Sequence, residues 1–402
     1  MKKPELLAPA GNLDCLKTAI RYGADAVYCG GPLLQLRADK AGFTKENLKE
    51  AVEYAHKNNK KLYVTVNSFT KNSEIPLLED YAKYLYSLGT DAVIVSDIGA
   101  VRTIKRSAPD LNIHISTQAN CCNYEAALAY YDMGASRIVL AREMTIDEIA
   151  ELHAKIPADL ELEAFVHGAM CMAYSGRCLL SSYLTGRSGN RGECTQPCRW
   201  EYYLVEQNRP QEYLKLEECG EHSAILSSSD MKSIEFLDEL EKAGIDSFKI
   251  EGRMKTEYYV AHVVNAYRHG IDKDAPAELL DKELEAISHR PYNSGFYFGE
   301  LVHNHFNDGL YHYSCTFGGV ALEDSRNGKL TLIQRNYFEV GDVAEILSPA
   351  SLGLHFTVEI IENENGESVQ SACHPQEKVT VNCPVEVKKG DIIRIRCKEK
   401  TK

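Results

Sequence analysis

No run of about eighteen consecutive apolar residues occurs in this 402-residue chain, so nothing reads as a membrane-spanning helix. A secretory leader is not evident either. The opening "MKKPELLAPAGN" passes from two lysines into a short apolar run broken by Pro4 and Glu5, too interrupted for a signal peptide. A cytoplasmic protein with reduced thiols is expected, which disfavours disulfides among its 13 cysteines. Positive charge is also short. With 45 Lys and Arg against 58 Asp and Glu, the net charge of −13 argues against a broad nucleic-acid-binding surface. Two hydrolase signatures are missing: no "HExxH" zinc-protease motif appears, and no Ser–His–Asp order is recognisable. A hydrophobic content of 44% with 26% charged residues is that of an ordinary globular protein, long enough for one large domain and a small one.

What is present first is a rhythm. Eight short β-rich runs ("ELLAPAG", "ADAVYCGG", "KLYVTVNSF", "DAVIVSD", "NIHISTQA", "SRIVLARE", "LELEAFVHG" and "DSFKIEGR") alternate with amphipathic segments such as "LEDYAKYLYSLG". Four runs start just after a glycine suited to end a helix: Gly23, Gly89, Gly134 and Gly244. Eight strands alternating with helices specify an α/β fold, a TIM-type (β/α)8 barrel. The expected division is 1–272 for the barrel, with a Cys-rich insertion at about 168–228. A linker region at 273–312 and a small all-β barrel at 313–402 follow, the latter from short alternating strands with Gly and Asn-Gly turns. Cys315, Cys373, Cys383 and Cys397 have no ligand-like spacing and read as core residues of that module.

Strand alternation then assigns the lumen. Tyr63, Thr65 and Asn67 point inward, as do His114, Ser116 and Gln118, then Glu163, Phe165 and His167, and finally Lys249, Glu251 and Arg253. Asp97 arrives at the end of strand four. So many polar groups are costly in a dry core, and at the C-terminal strand ends they read as a polar binding site. For any one of them, His167 included, a structural hydrogen bond competes with a catalytic role.

The connection after strand seven runs to about sixty residues where a few would serve, which marks a functional loop. It carries Cys171, Cys178, Cys194 and Cys198, spaced C-x6-C-x15-C-x3-C, and from Gly168 to Trp200 it sets Arg177, Arg187, Arg191 and Arg199 against one acid, Glu193. Structural zinc usually takes paired knuckles, and only Cys194 and Cys198 resemble one. Iron–sulfur clusters tolerate wider spacing, so a cluster is favoured and zinc stays open. A nucleophilic cysteine beside His167 would leave three thiols unexplained.

"EAFVHGAMCMAYSGRCLLS", "GNRGECTQPCRW", "KIEGRMK" and "LLAPAGN" resemble the motifs of the U32 peptidase family, the collagenase-like proteins. The family's name implies a peptidase, but several of its branches look like oxygen-independent hydroxylation proteins carrying a 4Fe–4S cluster. This chain most resembles the branch that hydroxylates a tRNA wobble uridine with prephenate. The resemblance implies tRNA and a small carboxylate donor as partners, with an electron donor or accessory protein; hydroxylation of another RNA or of a quinone precursor is the neighbouring alternative. It also puts Cys171, Cys178 and Cys194 on ligand positions. A fourth family cysteine falls on Lys232, so Cys198 is taken as the fourth ligand in preference to Cys219 in its acidic segment. Arg37 is retained from the family's early motif, although Gly42 precedes Phe43.

The resulting expectations are as follows. Arg253 and Arg37 hold a carboxylate, because a guanidinium fork matches one bidentately. His167, Glu251 and Glu163 are the candidate catalytic groups, with Asn67 and Gln118 lining the substrate. RNA meets Arg187, Arg191 and Arg199.

Overall fold

The computed structural model describes residues 3–36, 42–170, 175–200, 229–299 and 311–398, with the backbone of 203–205 and 213–215. Its strands β1 (Glu5–Ala10), β2 (Ala26–Gly30), β3 (Lys61–Val66), β4 (Ala92–Val95), β5 (Asn112–Ile115), β6 (Arg137–Val139) and β7 (Glu161–Ala169) pair in parallel, each with the next. Strand β8 (Ser247–Ile250) pairs in parallel with both β7 and β1 and closes the ring. The fold is a TIM-type barrel, as the eightfold pattern implies.

Helices α1 (Leu13–Arg21), α2 (Lys45–Lys57), α3 (Ile75–Leu88), α4 (Ile98–Ser107), α5 (Tyr124–Asp132) and α6 (Ile146–His153) alternate with the first seven strands, and α7 (Leu180–Thr185) and α8 (Leu237–Lys242) lie between β7 and β8. Their starts are written locally. Thr44, Asp97 and Asn123 each accept a backbone N–H three residues on, and Thr145 with Glu148 forms a reciprocal capping box. Asp97 is thus spent on capping α4. The ends are written too: Gly23, Gly89, Gly134 and Gly244 all have positive φ, where a side chain would be strained.

Two irregularities shape the barrel's C-terminal end beside β7. Its register with β8 shifts between Lys249 and Ile250, so Phe165 faces Lys249 and His167 faces Ile250. Gly168 then lies so close to the Glu251 carbonyl that a Cβ would come within 2.8 Å of it. A short strand, Asp230–Lys232, adds antiparallel to the end of β7, with Lys232 opposite His167. Asp230 is held there by the Arg290 guanidinium at 2.6 Å and by its backbone N–H at 3.1 Å.

The chain divides into two compact units, residues 1–20, 24–256 and 290–310 in one, and 21–23, 257–289 and 311–402 in the other. Helices α9 (Glu257–Asp272) and α10 (Ala277–Glu285) therefore belong with the C-terminal unit, whose main element is an eight-stranded antiparallel sheet, a half-barrel. Leu330, Leu332, Phe338, Val381 and Ile393 fill its core. Arg394, also buried, bonds both carboxylate oxygens of Glu283 on α10 and pairs with Glu345. Of the four cysteines expected in this core, Cys315 and Cys383 are buried, but Cys373 is exposed and Cys397 half-buried. Cys373 directly follows the two-residue strand Ser371–Ala372, so its side chain misses the packed face.

Candidate active site

The barrel lumen holds its charges in layers. At the N-terminal end of the strands, Arg137 has its whole guanidinium occupied: Nε and Nη2 donate to Glu161 at 2.9 and 2.6 Å, and Nη1 donates to Glu5 at 2.7 Å and Glu163 at 2.9 Å. One step up, Lys249 donates to the other Glu163 oxygen at 2.6 Å and lies 4.5 Å from the centre of the Tyr28 ring. Tyr63 donates to Glu5 and meets His114 edge-on. Burial alone would raise the pKa of Glu163, but Lys249 and Arg137 outweigh it and hold the carboxyl below its ordinary value. His114 is driven well below the usual imidazole value by burial, and then by Arg137, Lys249 and Lys61, so it stays neutral. This part of the lumen is a saturated ion network.

The layer at the C-terminal strand ends is different in kind. Arg253 donates through Nη1 to Gln35 Oε1 at 2.8 Å and Thr65 Oγ1 at 3.1 Å, and through Nη2 to the Leu36 carbonyl. Asn67 Oδ1 accepts from the Leu36 N–H, fixing the same loop after β2. Glu251 is partly exposed and sits 3.5 Å from the Tyr28 hydroxyl and 3.6 Å from Arg142 Nη2. Its backbone N–H donates to the His167 carbonyl at 2.8 Å. The buried His167 ring lies 5.5 Å from that of Tyr292. Arg142 itself stacks on Phe165, 4.0 Å from the ring centre, and donates to the Ala169 carbonyl.

The insertion after β7 crosses this mouth. On one side Ser175 donates its N–H to Glu143, in the loop after β6, at 2.9 Å. On the other, Arg191 donates to the Phe69 carbonyl at 2.6 Å and pairs with Glu74 at 2.9 Å, both after β3. Between these anchors lie helix α7 (Leu180–Thr185) and a knot of hydroxyls from Ser181, Thr185 and Thr195. Cys178, Cys194 and Cys198 form no disulfide and are half-buried in this segment, and the Gln196 N–H points at the Cys194 sulfur at 3.4 Å. Among the described residues no three Cys, His, Asp or Glu side chains converge as a metal site.

The site residues read from the sequence therefore distribute as follows. Glu251, His167, Arg253 and Asn67 gather at the mouth, whereas Glu163 lies a layer lower with both oxygens engaged. Gln118 stands at the rim, in the 3-10 turn after β5, where its backbone carbonyl lies against Gly176 of the insertion. Arg191 is committed to Glu74, and Arg187 is exposed. Arg37, Cys171, Cys219 and the Arg199 side chain lie outside the described residues. Sequence reasoning missed Arg142 and Tyr28. The signal for Arg142 was there: in "SRIVLARE" it follows the apolar strand end on the side where barrel sites form.

A closed (β/α)8 barrel with an ionised lumen and a cysteine-bearing segment across its C-terminal mouth defines a TIM-barrel protein whose polar groups gather at the end where such barrels carry their sites. The chain belongs to peptidase family U32, whose sequence profile matches residues 11–307, with the family's C-terminal domain matching residues 314–394. It is 39% identical to tRNA hydroxylation protein P1 of Bacillus subtilis (strain 168) over 405 residues, 98% of this chain and 95% of that one. It is 35% identical to tRNA hydroxylation protein P of Escherichia coli (strain K12), over 96% of this chain and 94% of that one. A collagenase of Porphyromonas gingivalis (strain ATCC BAA-308 / W83) is 34% identical over 74% of each chain.

Proposed function

We propose that this protein hydroxylates RNA, that its substrate is a tRNA wobble uridine, and that a small carboxylic acid such as prephenate is the donor. The observation that carries the reading is the near-full-length likeness to two proteins named for tRNA hydroxylation. The partly open polar mouth supports it, since a base and a small acid both need hydrogen-bonding groups at the strand ends. In this reading Arg253, with Arg37, holds a donor carboxylate, Asn67 and Gln118 line the pocket, and His167 and Glu251 handle protons. Arg187 and Arg199 meet the RNA backbone, while Arg191 keeps the insertion in place.

A 4Fe–4S cluster would be held by Cys171, Cys178, Cys194 and Cys198. The donor set suits iron better than zinc in its spacing, and the Gln196 N–H aimed at Cys194 favours a thiolate. Such a cluster supplies electron transfer beside the lumen when bound. The test is anaerobic reconstitution with iron analysis, alongside mass spectrometry of tRNA exposed to the protein. Loading near four irons per chain, a gain of one oxygen on a uridine, and loss of both in Cys178→Ser and Cys194→Ser are expected. An iron-free protein that leaves tRNA unchanged refutes the reading. The peptidase alternative rests on the family's description and the collagenase's name. Sustained peptide cleavage that vanishes on replacing one mouth residue would establish it.

A further inference from the structure

We propose that Arg142 is a second anion-binding guanidinium of the barrel mouth, placed to take a second carboxylate of the donor, with Glu251 as its displaceable counter-ion. The inference rests on the donor being a carboxylic acid, as in the reading above. Arginine carries five N–H donors, and a buried one left unpaired costs free energy. Arg137 in the same lumen has every edge paired. Arg253 spends Nη1 on Gln35 and Thr65 and Nη2 on Leu36, so the protein itself already engages much of that fork.

Arg142 is built differently. Nη1 donates to the Ala169 carbonyl at 2.8 Å, and the guanidinium plane is backed by Phe165. These two contacts fix its position and orientation. The remaining edge is loosely held: among the described residues the buried Nε has no hydrogen-bond partner, and Nη2 reaches Glu251 Oε2 only at 3.6 Å. A charge-assisted N–H···O bond is about 2.7–2.9 Å long, so the Glu251 contact is a loose ion pair. An Nε/Nη2 edge is one of the two faces on which a guanidinium takes a carboxylate bidentately. Glu251, with 35% of its side chain exposed, has solvent to move into when a ligand carboxylate arrives. Glu251, which Arg142 faces at 3.6 Å, stands two residues before Arg253 just after β8, so both arginines border the same mouth. A molecule bearing one carboxylate satisfies one arginine, and a dianion satisfies both.

The experiment compares two ligands on the full-length, anaerobically purified protein by calorimetry: prephenate, with two carboxylates, and phenylpyruvate, with one. Wild type should bind prephenate more tightly. Arg142→Gln should lose about tenfold or more in prephenate affinity and keep phenylpyruvate within about twofold, with Arg142→Lys in between because it keeps charge but not the fork. Glu251→Gln should tighten prephenate binding by removing the competing carboxylate; it also serves if Arg142→Gln fails to fold. With tRNA, Arg142→Gln should raise the donor KM more than it lowers kcat. A wild-type preference that survives Arg142→Gln, or is weakened by Glu251→Gln, overturns the assignment and leaves the hydroxylation reading intact. Wild type that binds neither acid overturns both the assignment and the carboxylate-donor reading.

Discussion

Glu163 shows why a lumen carboxylate is not by itself a catalyst. It is fully buried, each oxygen serves a cation, and none of it faces the mouth. Its work is to let Lys249 and Arg137 stay inside the barrel. Removing one partner of such a buried set leaves charge uncompensated, at about 3–5 kcal/mol. Because its folded pKa lies below the ordinary glutamate value, its contribution to stability is full above that value and is lost as pH falls through the folded one. Glu163→Gln should therefore unfold at clearly lower denaturant than wild type at pH 7, and the gap should narrow as the pH drops below about 4. A gap independent of pH would mean that Glu163 is not ionised in the fold.

The described part of the insertion after β7, residues 175–200, is tied to the loop after β3 by the Arg191–Glu74 pair. Arg191 bonds Glu74 and lowers its pKa, yet both side chains are about a quarter exposed, so the pair should be worth no more than about 1 kcal/mol. Global stability should barely respond to Glu74→Gln. Local opening should respond, because the segment's hold on the loop after β3 is otherwise the Arg191–Phe69 and Phe69–Asn190 backbone contacts. Limited proteolysis should cut within residues 175–200 several-fold faster in Glu74→Gln than in wild type, at an unchanged melting temperature. Equal cutting rates would show that the Arg191–Glu74 pair does not hold the segment closed.

At the scale of the whole molecule, the proposed hydroxylation requires a chain of net charge −13 to meet RNA through a local surface. On the insertion Arg177 and Arg187 are exposed, and so are Tyr183 at 81% and Trp200 at 48%. Cations and open aromatic rings suit unstacked bases and a few phosphates. The affinity for tRNA should accordingly fall with salt with a log–log slope of about −2 to −3, the mark of three or four phosphate contacts. A slope near −10 would require a broad basic surface that this composition does not offer.

Strand number, closure order and inward-facing residues were legible because they follow from local rules. A strand alternates with period two, a helix stops at a left-handed glycine, and eight repeats close a ring, as Gly89, Gly134, Tyr63 and Lys249 illustrate. The long connection after β7 was legible by its length, and the family by its motifs. Which lumen charges cancel one another was not, since that depends on depth along strands far apart in sequence. Arg137 and Glu5 are separated by 132 residues and Arg253 and Gln35 by 218. Nor could spacing alone show that Arg191 faces Glu74, or that Arg142, backed by Phe165, keeps a buried Nε without a partner among the described residues. The grouping of α9 and α10 with the C-terminal sheet was hidden for the same reason. It is marked by Arg394 bonding Glu283 across 111 residues, a pairing of side chains that only the folded chain brings together.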